Sequence, residues 1–165
     1  MAPVATYHAV ATHEKDNTFA RLICMAIVVK MSNLQNKSAI SQDAAMLLHD
    51  KSLYPSVAHC SYYSCYQLLK HIWIYTIEKT QQELDAKCST AKTGSHELLI
   101  NEVGRFIKHS GKKDCLKHFR EFNSGILQLK RLRVDADYSD SLFDSSKSKR
   151  SLDLAALILP ILKKY

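Results

Sequence analysis

The sequence predicts an all-α protein, an antiparallel bundle of four to five helices preceded by an N-terminal extension. Glycine and proline number only 4 and 3 among the 165 residues, so few turns interrupt the chain. Apolar residues recur at three- and four-residue spacing over long segments, as one face of a helix requires. The length fits a single domain with a sizeable core, and a hydrophobic fraction of 46% is typical of a globular protein.

Residues 1–34 differ from the rest and are interpreted as the N-terminal extension, followed by the helical domain over 35–165. The extension starts polar and holds one apolar run, 22–29, which is too short to span a bilayer. Glu14 and Asp16 precede that run and no clear small-residue cleavage site follows it, which argues against a secretory signal. We therefore expect no membrane segment.

The first two helices are predicted over 41–51 and 55–78. The first would bury Ala44, Leu47 and Leu48. The second contains apolar residues around nearly its whole circumference, which predicts a position at the centre of the bundle or at a subunit interface. These residues are Val57, Cys60, Tyr62, Cys65, Tyr66, Leu68, Leu69, Ile72, Trp73, Tyr75 and Ile77.

The remaining helices follow two polar segments. Residues 80–93 are interpreted as a helix tail and a loop, and Ser95 as the cap of a third helix that ends at 110–111. A fourth helix is predicted over 113–135 and a loop over 139–149. The last helix would run over 151–164, with a kink at Pro160.

The fourth helix ends in an unusual pattern. Its buried stripe of Phe119, Phe122, Ile126 and Leu129 continues, at the same spacing, into Arg133 and Asp137. A charged pair in line with a core stripe predicts a charged site at the mouth of the helical core. The pair has i,i+4 spacing, so it is either a structural ion pair that fixes the helix end, which we favour, or an arginine that binds phosphate.

Charge and cysteine content narrow the choice of ligands. The chain has a net charge of +7, and the segment 105–133 contains nine Lys or Arg residues but only two acidic residues. Such a block attracts phosphates or an acidic partner, although a solvated helix face is the commoner use of lysine runs. The five cysteines include no CxxC pair, which indicates a reduced cytoplasmic protein with neither a metal site nor a cofactor.

Three fragments carry a family resemblance. They are the stretch 54–63 with its Ser-Tyr-Tyr ending, Gly94-Ser95-His96, and Arg133 followed by Ala136-Asp137-Tyr138. Their order in a helical chain resembles the HEPN family (higher eukaryotes and prokaryotes nucleotide-binding), over about residues 37–163. The resemblance implies a bundle that often dimerises and binds nucleotide or RNA. It also implies a place in a toxin–antitoxin or defence system, with a nucleotidyltransferase as partner.

The chain departs from the ribonuclease members of that family, whose motif is an Arg, four to six residues, and a His. No His follows Arg133, and Tyr138 stands where one is expected. Arginine cannot act as a base, and a tyrosine with a pKa near ~10 is a poor one, so family-type cleavage is not expected. The candidate ligand-binding residues are Arg133, Asp137, Tyr138, His96 and Tyr63, of which Arg133, His96 and Tyr138 are the catalytic candidates.

The sequence therefore predicts a HEPN-like protein that binds nucleotide or RNA. A non-catalytic interaction or dimerisation module is the first alternative. A metal-independent endoribonuclease with a non-standard site is the second.

Overall fold

The computed structural model describes residues 31–165, and these residues form six α-helices and no strand. The predicted all-α bundle is therefore confirmed. None of the described helices is both long enough and apolar enough to cross a membrane. Most of the predicted extension, including the apolar run 22–29, lies outside the described residues. The helices are α1 (Asn33–Asp50), α2 (Tyr54–His71), α3 (Gln81–Ala91), α4 (Ser95–His109), α5 (Cys115–Tyr138) and α6 (Ser145–Leu162).

Helix α2 lies at the centre and contacts α1, α5 and α6, as its apolar circumference predicts. A π-helical segment, Ile72–Thr76, continues it to within two residues of the predicted end at 78. The backbone then turns at Glu78 with a positive φ of 58°, and the Trp73 indole donates to the Thr80 carbonyl at 2.9 Å. Tyr75, predicted to be buried, is exposed on this wider turn.

Helix α3 replaces the tail and loop predicted over 80–93. The Thr80 hydroxyl accepts from the Glu83 backbone N–H while the Glu83 carboxylate accepts from the Thr80 N–H, which forms a capping box. Leu84 is fully buried and fastens this otherwise polar helix to the core. The segment forms a helix because a reciprocal cap and one apolar anchor compensate for its lack of a continuous stripe.

The predicted starts of α1 and α6 were wrong, and in both cases a cap begins the helix earlier. Ser32 accepts from the Gln35 N–H, so α1 includes residues before the predicted start at 41, and its buried contacts come from Ser38 and Ala45 rather than the exposed Leu47. Asp144 accepts from the Lys147 N–H at 2.9 Å, so α6 begins inside the predicted loop 139–149. The predicted boundary at residue 35 falls inside the first turn of α1.

Helix α5 is the element that positions the site, and it extends to Tyr138 rather than ending at 135. Its predicted stripe is confirmed for Phe122, Ile126 and Leu129, which are fully buried, whereas Phe119 is only partly buried against the core. Gly125 permits close approach to α6, since a Cβ there would meet Ile158 at 3.1 Å. Packing on this scale fixes the rotation of α5 and thereby the direction of the residues that follow Leu129.

Candidate functional site

The site is built around Arg133, which follows Leu129 on the buried stripe of α5. Its side chain is 17% exposed, and its Nε lies 2.8 Å from the Asp137 Oδ2. The Nε–H does not make a well-directed hydrogen bond with that oxygen, so the two groups form an ion pair by proximity. Burial acts to lower the pKa of Arg133, but the Asp137 carboxylate opposes it and the pKa is raised. The guanidinium is therefore charged at every physiological pH.

Two aromatic rings flank this guanidinium. Its Cζ lies 5.7 Å from the ring centre of Tyr63 on α2 and 5.3 Å from that of Tyr138 at the end of α5. Both distances fall in the range of cation–π contacts. Arg133 Nη2 also donates a long hydrogen bond of 3.5 Å to the Tyr63 hydroxyl. The rings hold the cation in place without consuming most of its N–H donors.

His59 joins the same cluster from the first turns of α2. Its Nδ1 lies 3.3 Å from the Asp137 Oδ2, and its ring stacks on Tyr63 with the centres 4.5 Å apart. The imidazole is nearly half exposed. Sequence reasoning did not include His59 among the candidates, although it lies within the first of the three family-like fragments. Its spacing from Tyr63 (i,i+4) was the signal that placed the two rings together.

His96 reaches the cluster from the start of α4. Its ring stacks on Tyr66 at 4.1 Å and meets the edge of Tyr63 at 5.9 Å, while its Nδ1 lies 2.9 Å from the Tyr62 hydroxyl. Burial lowers the pKa of His96, and the positive charges of Arg133 and Lys130 lower it further. The imidazole is therefore neutral at pH 7.

The serine before His96 does not have its predicted role. Gly94, not Ser95, is the N-cap of α4, and it provides no side-chain cap. The Ser95 hydroxyl lies 3.4 Å from the Tyr66 hydroxyl instead. Ser95 thus links the start of α4 to α2, on the side where His96 enters the cluster.

The lowered pKa of His96 predicts a pH-dependent stability. An unfolded-state histidine has a pKa near ~6.5, so protonation below about pH 6.5 favours the unfolded chain. The stability contributed by neutral His96 should be complete above that pH and should decline as the pH falls below it, through the lowered pKa of the folded state. In His96→Gln, urea unfolding should lose less stability between about pH 7 and pH 5 than in wild type.

The exposed His109, changed to Gln, provides the matched control for that experiment. It should leave the decline unchanged, and the half-buried His71, whose pKa burial also lowers, contributes equally to every variant. Equal declines in His96→Gln and wild type would contradict a neutral, partly desolvated His96.

The five predicted site residues are brought into one connected cluster. Arg133 contacts Asp137, Tyr63 and Tyr138, and Tyr63 contacts His96. Among the described residues, no group of three or more His, Cys, Asp and Glu side chains is placed to hold a metal ion. Comparison of the chain with protein-family models, characterised proteins and solved structures finds no match.

The chemistry of the cluster suits an oxyanion. A guanidinium has several N–H donors in a planar fork that matches phosphate. In the described part of the chain, the Arg133 guanidinium makes one long hydrogen bond to the Tyr63 hydroxyl, and a hydrogen-bonding contact with Tyr138 also raises its pKa. Asp137 offsets part of its charge, and Lys130 adds to the local positive potential that is felt at His96. An arriving phosphate would find free donors and a pre-positioned cation.

Proposed function

We propose that the chain is a HEPN-like protein that binds RNA or a nucleotide at the Arg133 cluster, without family-type ribonuclease catalysis. The observation that carries this proposal is a positioned guanidinium between two aromatic rings with most of its donors unused. A purely structural ion pair needs only contact with Asp137. Such a pair does not need the aromatic rings of Tyr63 and Tyr138 beside the guanidinium, or the neighbouring imidazoles.

The mode of binding follows from the exposure of each group. The phosphate meets the Arg133 donors, and a base stacks on the Tyr138 ring, which is 73% exposed. Stacking of one base on an aromatic side chain contributes about 1–3 kcal/mol. A ring and a guanidinium at 5.3 Å are close enough for one nucleotide to engage both. Because stacking tolerates any base, we expect weak sequence preference.

The positions of the two imidazoles, His96 and His59, support binding more than cleavage. The His96 Nδ1 is occupied by the Tyr62 hydroxyl, so only its Nε2 remains to contact a ligand. Burial raises the pKa of Tyr62, so that hydroxyl keeps its proton and is a poor general acid. His59 is the accessible imidazole and lies beside Asp137. Any residual cleavage is therefore expected to depend on His59. Cleavage would shorten RNA that has been incubated with the protein.

The test is equilibrium binding of a fluorescein-labelled single-stranded RNA, measured by anisotropy over a salt series. We expect binding at about 20 mM salt, with an affinity that falls log-linearly with salt at a slope of about −0.7 per phosphate contacted. Absence of binding to RNA and to nucleoside phosphates at low salt would refute the proposal. RNA recovered afterwards should be intact, and shortened RNA would indicate the ribonuclease alternative instead.

The family resemblance adds expectations that the cluster does not address. They are a homodimer, a nucleotidyltransferase partner and a cytoplasmic toxin–antitoxin or defence role. The alternative of a non-catalytic interaction module is favoured by a separate observation, an exposed face of α5.

A further inference from the structure

A second feature of α5 lies on its solvent side. We define the α5 outer face as the residues at alternating three- and four-residue spacing along the exposed side, namely Arg120, Ser124, Leu127, Arg131, Val134 and Tyr138. Leu127 is 39% and Val134 43% exposed. Single exposed apolar side chains are common on protein surfaces, but these two lie on the same side of the helix, two turns apart, beside the exposed Tyr138 ring.

The spacing is that of a helix–helix seam. Positions that alternate three and four apart form the line along which a second helix packs, and here Leu127, Val134 and Tyr138 are its apolar members while Arg120 and Arg131 are its basic ones. The same side of α5 borders a shallow groove of about 550 Å³, whose described lining is Leu127, Lys130, Arg131, Val134, Asp135, Tyr138 and Ser139. From Leu127 to Tyr138 the seam covers about 16 Å, or three turns, at ~1.5 Å per residue. This length suits one amphipathic helix.

The charge of the face indicates the chemistry of that helix. Arg120 and Arg131 lie in the seam itself, and Lys117 and Lys130 flank it. The nearby Asp135 is paired with Lys147 at 2.8 Å, so its charge is already compensated. Glu121 is about 100° around the helix from Arg120 and points away from the seam. The face is therefore basic as well as apolar.

A second copy of the same face is a poor occupant. In a two-fold symmetric contact the seams pair with each other, which brings the arginines and lysines of both copies together. Like charges in such a contact oppose association. A helix with carboxylates opposite Arg120 and Arg131 gains both apolar burial and charge pairing.

We propose that the α5 outer face docks an acidic amphipathic helix of a partner protein. The inference does not depend on RNA binding at Arg133. The two surfaces share one residue, because Tyr138 lies in the seam and also forms a wall of the Arg133 cluster. A docked helix would cover that wall and restrict access to the cluster.

The test uses a synthetic fluorescent helical peptide of about 18 residues, with leucines at seam spacing and glutamates on both flanks. The control peptide has the same composition in scrambled order. We expect wild type to bind the seam peptide about tenfold more tightly than the scrambled peptide. Equal binding of the two would overturn the proposal, because it would show charge attraction without a seam.

Variants locate the contact. Leu127→Asp should weaken seam-peptide binding about tenfold, whereas Leu47→Asp, at an exposed leucine on α1, should not. Arg131→Glu should weaken it as well, and a peptide with lysines in place of glutamates should restore binding to that variant. Circular dichroism confirms that each variant folds. Unchanged binding by folded Leu127→Asp and Arg131→Glu would contradict docking on this face.

Two other outcomes would also overturn the assignment. If Arg131→Glu weakens RNA binding but not peptide binding, the face is a nucleic-acid surface. If wild type is dimeric by light scattering and Leu127→Asp makes it monomeric, the face joins two copies. Leu127→Ala should weaken peptide binding and leave RNA binding unchanged, because Leu127 is not part of the Arg133 cluster, so failure at either surface is distinguishable from failure at the other.

Discussion

Phe122→Ala is expected to lower the free energy of unfolding by about 3–5 kcal/mol. Phe122 is fully buried on the stripe of α5, and its ring faces Gly104 of α4, where an added Cβ would meet it at 3.6 Å. Truncation leaves a cavity between α4 and α5. The two helices cannot close this cavity by approaching each other, because a shift of α5 would disturb the close contact of Gly125 with α6. A loss of this size is a large fraction of the total stability of about 5–15 kcal/mol typical of domains.

The control lies on the same helix. Leu127→Ala changes an exposed apolar residue of α5 and should cost about 0.5 kcal/mol or less. Urea denaturation followed by circular dichroism measures both variants with the same transition. Similar losses for the two would mean that α5 is rotated differently from the described structure, and Arg133 would then not face Tyr63.

Arg133→Ala is expected to weaken RNA binding by about ten- to a hundredfold. The variant removes the only cation that lies between Tyr63 and Tyr138 in the described chain, together with its charge-assisted hydrogen bonds to phosphate. Such bonds contribute about 1.5–3 kcal/mol, which corresponds to that range of affinity. Competition anisotropy with unlabelled RNA measures the change in Kd.

The RNA affinity of Asp137→Asn distinguishes between two roles of Arg133, phosphate binding and a purely structural ion pair. The carboxylate competes with phosphate for Arg133 and repels it, so its neutral isostere should bind RNA as well as wild type or better. Arg131→Ala, two residues before Arg133 on the same helix but exposed, should weaken binding only slightly. If Asp137→Asn and Arg133→Ala weaken binding equally, the pair would be a structural unit.

The parts of the fold that could be predicted are the helices in which apolar residues recur at every turn. Helix α2 and the stripe of α5 could be placed because every turn contributes a buried residue, and Arg133 could be identified as a continuation of that stripe. Helix α3 was missed because Leu84 is its single buried residue. Its signal was the Thr80-x-x-Glu83 capping pattern, which is local and independent of the period.

Only the contacts of the site that lie within one helix could be predicted from the sequence. The Arg133–Asp137 pair follows from spacing alone, as does the stack of His59 on Tyr63. The contacts between α2, α4 and α5 could not be derived, because they depend on how far each helix slides and rotates against its neighbours. His96 shows this, since its stack on Tyr66 brings together residues 30 positions apart. Side-chain packing sets that register, and the sequence pattern does not encode it directly.

The most direct test of the Arg133 cluster is the NMR resonance of the Arg133 Nε–H group during titration of ¹⁵N-labelled protein with a short single-stranded RNA. The resonance is assigned by its absence from Arg133→Ala. We expect it to shift progressively and to follow the Kd found by anisotropy, because phosphate binds the Nη donors of the same guanidinium and weakens the ion pair of the buried Nε with Asp137. RNA binding that saturates while the Arg133 resonance stays in place would contradict the proposed site.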